Sequence, residues 1–165
     1  MSQVKVVNNF FTQEECDFYI NYIDSNIHRF WQTNKSKRFV LLFGDELSLG
    51  STQAIGRKTN LDLSFLEDLE PKVRELFRKV ERTVKDQYSN EKDLYVTSFS
   101  MTKQVPGSFI KIHHDTDAGV NYYFKYSALV YLNTMKKDGV LEFPDLDFTY
   151  SPKAGDLLMF PSGDP

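Results

Sequence analysis

His113 and Asp115, on either side of His114 in the run Ile112-His113-His114-Asp115-Thr116, have residue types and a spacing that could do chemistry. On an extended chain side chains alternate with period two, so His113 and Asp115 would share one side while His114 points to the other. An imidazole and a carboxylate on one face can grip a borderline divalent cation together. With one further imidazole they would form a two-His–one-carboxylate set, which leaves coordination positions open on ferrous iron. A His-x-Asp tripeptide is also common as plain polar surface, so its surroundings must carry the reading.

Those surroundings begin with Pro106-Gly107, a turn signal, and continue with an apolar stretch over 109–113 that is expected to be the strand delivering the pair. Other strands are expected at 95–101, 125–132, 139–143, 148–150 and 156–160, separated by Gly, Pro and Asp. The first half reads differently. Residues 4–11 suggest a short opening strand, and Thr12-Gln13-Glu14-Glu15 has the form of a capping box. Cys16, Tyr19, Ile20 and Ile23 then follow at helical spacing. Residues 34–60 read as loop with one strand at 38–43. Residues 62–88 carry the longest helical pattern, with Pro71 suited to a first turn and Val73, Leu76, Phe77, Val80 and Val84 forming an apolar stripe. Two helices followed by many short strands imply an α+β domain with a jelly-roll-like barrel.

Composition narrows the function classes. The chain has 165 residues, enough for one domain with a substantial core, and 41% of them are hydrophobic. A formal net charge of −3 offers no bulk attraction to nucleic acid or to an anionic membrane. With Cys16 as the one cysteine there is no intrachain disulfide framework, and a reducing, cytoplasmic setting is expected. The first residues do not form a signal peptide, and no apolar run is long enough to span a bilayer.

Several motifs in order give a family resemblance. They are the opening Asn9-Phe10-Phe11-Thr12-Gln13-Glu14-Glu15-Cys16 and the stretch from Pro106-Gly107 to His113-His114-Asp115-Thr116. After these come Ala128-Leu129-Val130-Tyr131-Leu132-Asn133 and Asp138-Gly139-Val140-Leu141-Glu142-Phe143. Last is Tyr150-Ser151-Pro152-Lys153-Ala154-Gly155-Asp156-Leu157-Leu158-Met159-Phe160. In this arrangement the chain resembles the prolyl 4-hydroxylase-like branch of the 2-oxoglutarate/Fe(II)-dependent dioxygenases.

The resemblance implies a double-stranded β-helix, a jelly-roll or cupin-like barrel, with N-terminal helices packed on one sheet. It implies a single dioxygenase domain over 1–165, with Fe(II), 2-oxoglutarate as co-substrate, O2 and ascorbate among its chemistry. His113 and Asp115 would be iron ligands. Tyr131 would donate its hydroxyl to the distal carboxylate of 2-oxoglutarate, or it is an ordinary barrel-core aromatic. The implied reaction is hydroxylation of a C–H bond in a peptide or protein substrate, most simply a peptidyl proline.

The family's second metal-binding His, and the Arg or Lys that pairs with the co-substrate, follow the Pro…Gly…Phe strand. Their places fall past Phe160, so the chain is expected to stop short of a complete site and of the closing strand. Lys125 shares strand parity with Tyr131 and is a candidate substitute for that base, or else a solvated strand-start lysine. Val105 and Asp138 stand where many relatives have Tyr and Gly. His114 is expected on the substrate side or exposed, and His28 structural. Two alternatives stay open: the same oxidation of a free amino acid, small metabolite or alkylated base, and a non-catalytic jelly-roll module binding a partner or carbohydrate. Neither the substrate nor the oligomeric state follows from the sequence.

Overall fold

Helices start where the sequence supplies caps. The computed structural model describes residues 4–33, 37–44, 67, 69–90, 94, 98–115 and 125–163. Helix α1, Gln13–Ser25, opens on a reciprocal capping box. The Thr12 hydroxyl accepts the Glu15 N–H at 3.1 Å, and the Glu15 carboxylate accepts the Thr12 N–H at 2.9 Å. The helix buries Cys16, Tyr19 and Ile23, the face expected from their spacing.

Helix α2, Pro71–Gln87, has Glu70 as N-cap, whose side chain accepts the Val73 N–H at 3.0 Å. It begins later than the sequence pattern suggested. Proline pushes the residue before it out of the helical region, and Glu70 accordingly sits at φ −52, ψ 134. Residues 62–66 and 68 of the expected helix lie outside the described residues. Val73, Leu76 and Phe77 are buried along the stripe, and the Glu81 carboxylate, itself buried, pairs with Arg78 and Lys85.

Contacts divide the chain into two compact units, Ser25–Phe124 and a second one that joins Met1–Asp24 to Lys125–Pro165. In the first, β2 (Trp31–Gln32), β3 (Phe39–Gly44) and β4 (Ser98–Lys103) form an antiparallel sheet in the order β2-β3-β4. Helix α2 packs on it, with the Phe77 and Phe99 rings 5.0 Å apart. The 38–43 strand expectation agrees with β3. Of the expected 95–101 strand, the described part is found in β4, and residues 95–97 lie outside the described residues.

In the other unit, β1 (Lys5–Val7), β5 (Tyr126–Val130) and β8 (Leu157–Pro161) form an antiparallel sheet in the order β1-β8-β5. The central position of β8 explains its unbroken apolar run, since Leu157, Leu158 and Met159 are all fully buried. Strands β6 (Leu141–Phe143) and β7 (Phe148–Tyr150) make a hairpin. The hairpin packs Leu141, Phe143, Phe148 and Tyr150 into a cluster with Val4 and Leu158.

Mixed helices and antiparallel sheets match the α+β reading at that level. One strand expectation fails. Residues 109–114 form no strand, and Phe109, Ile110 and Ile112 are 51%, 47% and 80% exposed. Apolar composition favours a strand through packing on a half-buried pleated surface, and these side chains have little such surface under them. Among the described residues, no helix is long and apolar enough to cross a membrane.

Candidate metal centre

The segment bearing His113 leaves β4 through a turn that the sequence anticipated. Val105-Pro106-Gly107-Ser108 closes with the Ser108 N–H donating to the Val105 carbonyl at 2.8 Å, and Gly107 takes φ +84. Proline followed by a left-handed glycine is the composition of a type II turn. The Ser108 hydroxyl fixes the turn in two directions. It accepts the Val105 N–H at 2.9 Å and donates to the Lys37 carbonyl at 3.0 Å.

His113 and Asp115 come together without a strand to align them. The Nε2 atom of His113 lies 3.2 Å from Oδ1 of Asp115, and both side chains are partly exposed. On its other side, Nδ1 of His113 lies 2.7 Å from the Lys111 carbonyl oxygen. A carbonyl only accepts, so Nδ1 carries a hydrogen, and Nε2 of the neutral ring bears a lone pair. That lone pair faces a carboxylate oxygen, an arrangement of two acceptors that is relieved only by a proton or a cation between them.

The pair fits a first-row divalent ion on two counts. Imidazole nitrogen and carboxylate oxygen are suitable donor types. Two donors at about 2.1 Å from one ion and at right angles stand about 3 Å apart. A backbone carbonyl behind the distal ring nitrogen is also the usual way a metal-binding histidine is oriented. Among the described residues no group of three or more His, Cys, Asp or Glu side chains gathers to hold a metal, so His113 and Asp115 supply two donors. His114 is half-buried, and His28 is exposed in the short 3-10 turn Ile27–Arg29.

Tyr131 follows β5 in the other unit. Its amide donates to the Asp156 carbonyl at 3.0 Å, and its carbonyl accepts the Gly155 N–H at 2.7 Å. Burial pushes its phenol above the ordinary tyrosine range, with no hydrogen bond contributing to the shift. Lys125 is exposed, so the parity argument does not carry its side chain inward. Its backbone carbonyl accepts the Ser162 N–H at 3.0 Å.

Sequence reasoning missed the network beside Tyr131. Asp156 is 2% exposed, yet its carboxylate is well supplied with donors. The Tyr150 hydroxyl donates at 2.9 Å, the Asn8 side-chain amide at 2.8 Å and the Asn9 N–H at 3.0 Å. Burial, and then the hydrogen bond to Asp156, push the Tyr150 phenol up to about 12. The rings of Tyr131 and Tyr150 lie 5.5 Å apart. One signal was available: a carboxylate at the head of an apolar run, Asp156-Leu157-Leu158-Met159, has to find donors if that run is buried.

No family model matches the chain. A protein of Acanthamoeba polyphaga mimivirus named "Putative prolyl 4-hydroxylase" is 25% identical over 129 residues, which are 72% of this chain and 50% of that protein. The chain therefore spans about half the length of the curated relative it matches. In fold it is similar to the viral collagen prolyl hydroxylase of Paramecium bursaria Chlorella virus-1, whose crystal structure is a 2OG complex. The TM-score is 0.59 at 18% identity, covering 96% of this chain and 77% of the other. The chain is thus similar in sequence to a protein named for prolyl 4-hydroxylation and similar in fold to a viral collagen prolyl hydroxylase.

Proposed function

We propose that this chain contributes the iron- and 2-oxoglutarate-binding parts of a dioxygenase that hydroxylates a prolyl residue in a peptide or protein. One observation carries the reading most: Nε2 of His113 and Oδ1 of Asp115 meet at 3.2 Å while Nδ1 is occupied by the Lys111 carbonyl. In this reading the two side chains are metal ligands, and the Tyr131 hydroxyl donates to the distal carboxylate of 2-oxoglutarate. A phenol held protonated by burial, with no other acceptor for it among the described residues, suits that task. The architecture proposed is the jelly-roll barrel of the family, to which the β1-β8-β5 sheet and the β6–β7 hairpin contribute.

Bound iron supplies the oxidative chemistry, in which 2-oxoglutarate, O2 and a C–H bond give succinate, carbon dioxide and an alcohol. The chain's share is to hold ligands in the right protonation state and to orient the co-substrate. The Lys111 carbonyl keeps the His113 proton on Nδ1, so Nε2 stays available as a donor. The third protein ligand of a two-His–one-carboxylate set is not among the described residues.

Anaerobic Fe(II) titration of the full chain and of His113→Ala and Asp115→Ala tests the site. Each substitution is expected to abolish specific binding, and unchanged iron affinity in both would remove it. Succinate release that needs a proline-containing peptide separates prolyl hydroxylation from oxidation of a free amino acid or metabolite. Absence of iron binding by an intact fold favours a binding module without catalysis.

A further inference from the structure

Tyr150 and Asp156 have no part in the reaction as proposed, yet they surround the one residue that reading assigns to the co-substrate carboxylate. The two neighbouring phenols are treated differently. Tyr150 is 8% exposed, and its hydroxyl hydrogen is committed to Asp156 at 2.9 Å. Tyr131 has only burial acting on its phenol, and no acceptor among the described residues contributes to that shift. Asp156 holds both tyrosines, taking the Tyr150 hydroxyl on its side chain and the Tyr131 amide on its backbone carbonyl. The carboxylate is itself held from the far end of the chain by Asn8 and Asn9. The Tyr150 ring is thereby fixed against the Tyr131 ring, with 5.5 Å between centroids.

We propose that the Tyr150–Asp156 pair is a positioning device for Tyr131, holding its ring in place and keeping its hydroxyl as the donor of the two for a dicarboxylic keto acid. This rests on the reading of Tyr131 as a carboxylate donor. Two consequences follow from the geometry. Because Tyr150 has its hydrogen bond, it does not compete for an incoming carboxylate. Because Asp156 already accepts three hydrogen bonds, its carboxylate is committed to Asn8, Asn9 and Tyr150. The selectivity built this way is for a keto acid with a second carboxylate over one that ends in a methyl group.

Tyr150→Phe keeps the ring and leaves Asp156 its bonds to Asn8 and Asn9, so the fold is retained. The probes are 2-oxoglutarate and 2-oxopentanoate, titrated anaerobically with Fe(II) present into the full chain. Tyr131→Phe is expected to lower the preference for 2-oxoglutarate by about tenfold or more, the weight of a hydrogen bond to a charged group. Tyr150→Phe is expected to lower it about threefold, and to have no further effect in the Tyr131→Phe background, since it acts through that residue. A ligand-free readout runs beside this: the fluorine NMR line of 3-fluorotyrosine at position 131, expected to shift and broaden in Tyr150→Phe. If Tyr131→Phe lowers the preference and Tyr150→Phe does not, the positioning role is overturned while the carboxylate donor stands. If Tyr131→Phe changes nothing, the donor assignment falls and takes the purpose of the pair with it. An unmoved fluorine line in Tyr150→Phe overturns the pair's hold on the ring, whatever the ligands do.

Discussion

The two places that carry candidate chemistry are built in opposite ways. His113 and Asp115 lie on an exposed, irregular segment, steered by bonds from close neighbours such as Lys111 and by one turn anchored at Lys37. Tyr131 sits against a buried network whose contacts reach across the chain, from Asn8 and Asn9 to Asp156 at separations of 148 and 147 residues. Donors that must accept and release an ion gain from access and from a local, adjustable backbone. A hydroxyl that must stand at one distance from a ligand gains from being tied to the core. The stability of the protein should therefore depend heavily on the second region and hardly on the first.

Two glycines make this contrast measurable. Gly107 and Gly155 have nearly the same backbone angle, φ +84 and +85. A side chain at Gly107 would meet nothing within 4 Å, whereas at Gly155 its first carbon would lie 2.4 Å from the Phe11 carbonyl oxygen. That oxygen belongs to a residue whose N–H donates to the Gly155 carbonyl at 2.9 Å, so neither segment can easily withdraw. Gly107→Ala is expected to cost about 1 kcal/mol, the strain of a left-handed alanine. Gly155→Ala adds a backbone overlap and is expected to cost about 3 kcal/mol or more. Urea unfolding of the two variants decides, and equal losses would break the comparison.

The next effect is a pH dependence that belongs to the buried region. The folded Tyr150 phenol is raised from 10.0 to about 12, first by burial and then by Asp156. Between those values the folded protein holds a proton that the unfolded chain has released. Stability from this group is thus complete below pH 10 and is lost as pH rises toward about 12. Its size is at most about 3 kcal/mol. Denaturation of wild type and Tyr150→Phe across that range should converge as the alkaline limit is approached. Parallel curves would show that the Tyr150 proton is not held by the fold.

The sequence was informative where chemistry is local. Thr12 and Glu15 announced the first cap, Pro71 the second helix, Pro106-Gly107 the turn, and the run at 156–160 a strand. His113 and Asp115 were expected to face each other for a reason that proved incomplete. Strand alternation was to align them, but residues 109–114 form no strand, and the pair meets through a carbonyl two residues back. Such a bond leaves no mark in composition or periodicity. Asp156 was out of reach for another reason. Its partners Asn8, Asn9 and Tyr150 are ordinary turn and strand residues, and only the pairing of β1 with β8 brings the chain's beginning to its side.

In the exposed region the expected changes in stability are small. Asp115→Asn keeps the shape of the side chain and removes its charge. Since the pair is partly exposed, the folded state should change by about 0.5 kcal/mol or less. A loss of several kcal/mol would place Asp115 in the structural framework and dissolve the contrast with Asp156. The measurement is a urea midpoint in metal-free buffer, where ligand binding cannot add its own stabilisation.

The smallest effect is expected at Lys125, where strand parity and exposure disagree. Counting by twos from Tyr131 puts Lys125 on the same side, but β5 ends at Val130 and Tyr131 already belongs to the following segment. Parity holds only while the pleat continues, and Lys125 itself precedes the strand and is exposed. Its backbone carbonyl accepts the Ser162 N–H, a bond that substitution leaves intact. Lys125→Met should therefore alter 2-oxoglutarate affinity less than about twofold and stability by about 0.5 kcal/mol at most. A tenfold loss of affinity with unchanged stability would mean that its long side chain folds back to meet the co-substrate carboxylate. The half-buried Tyr131 would then share its proposed task with an exposed cation, and the division between the two regions would no longer follow burial.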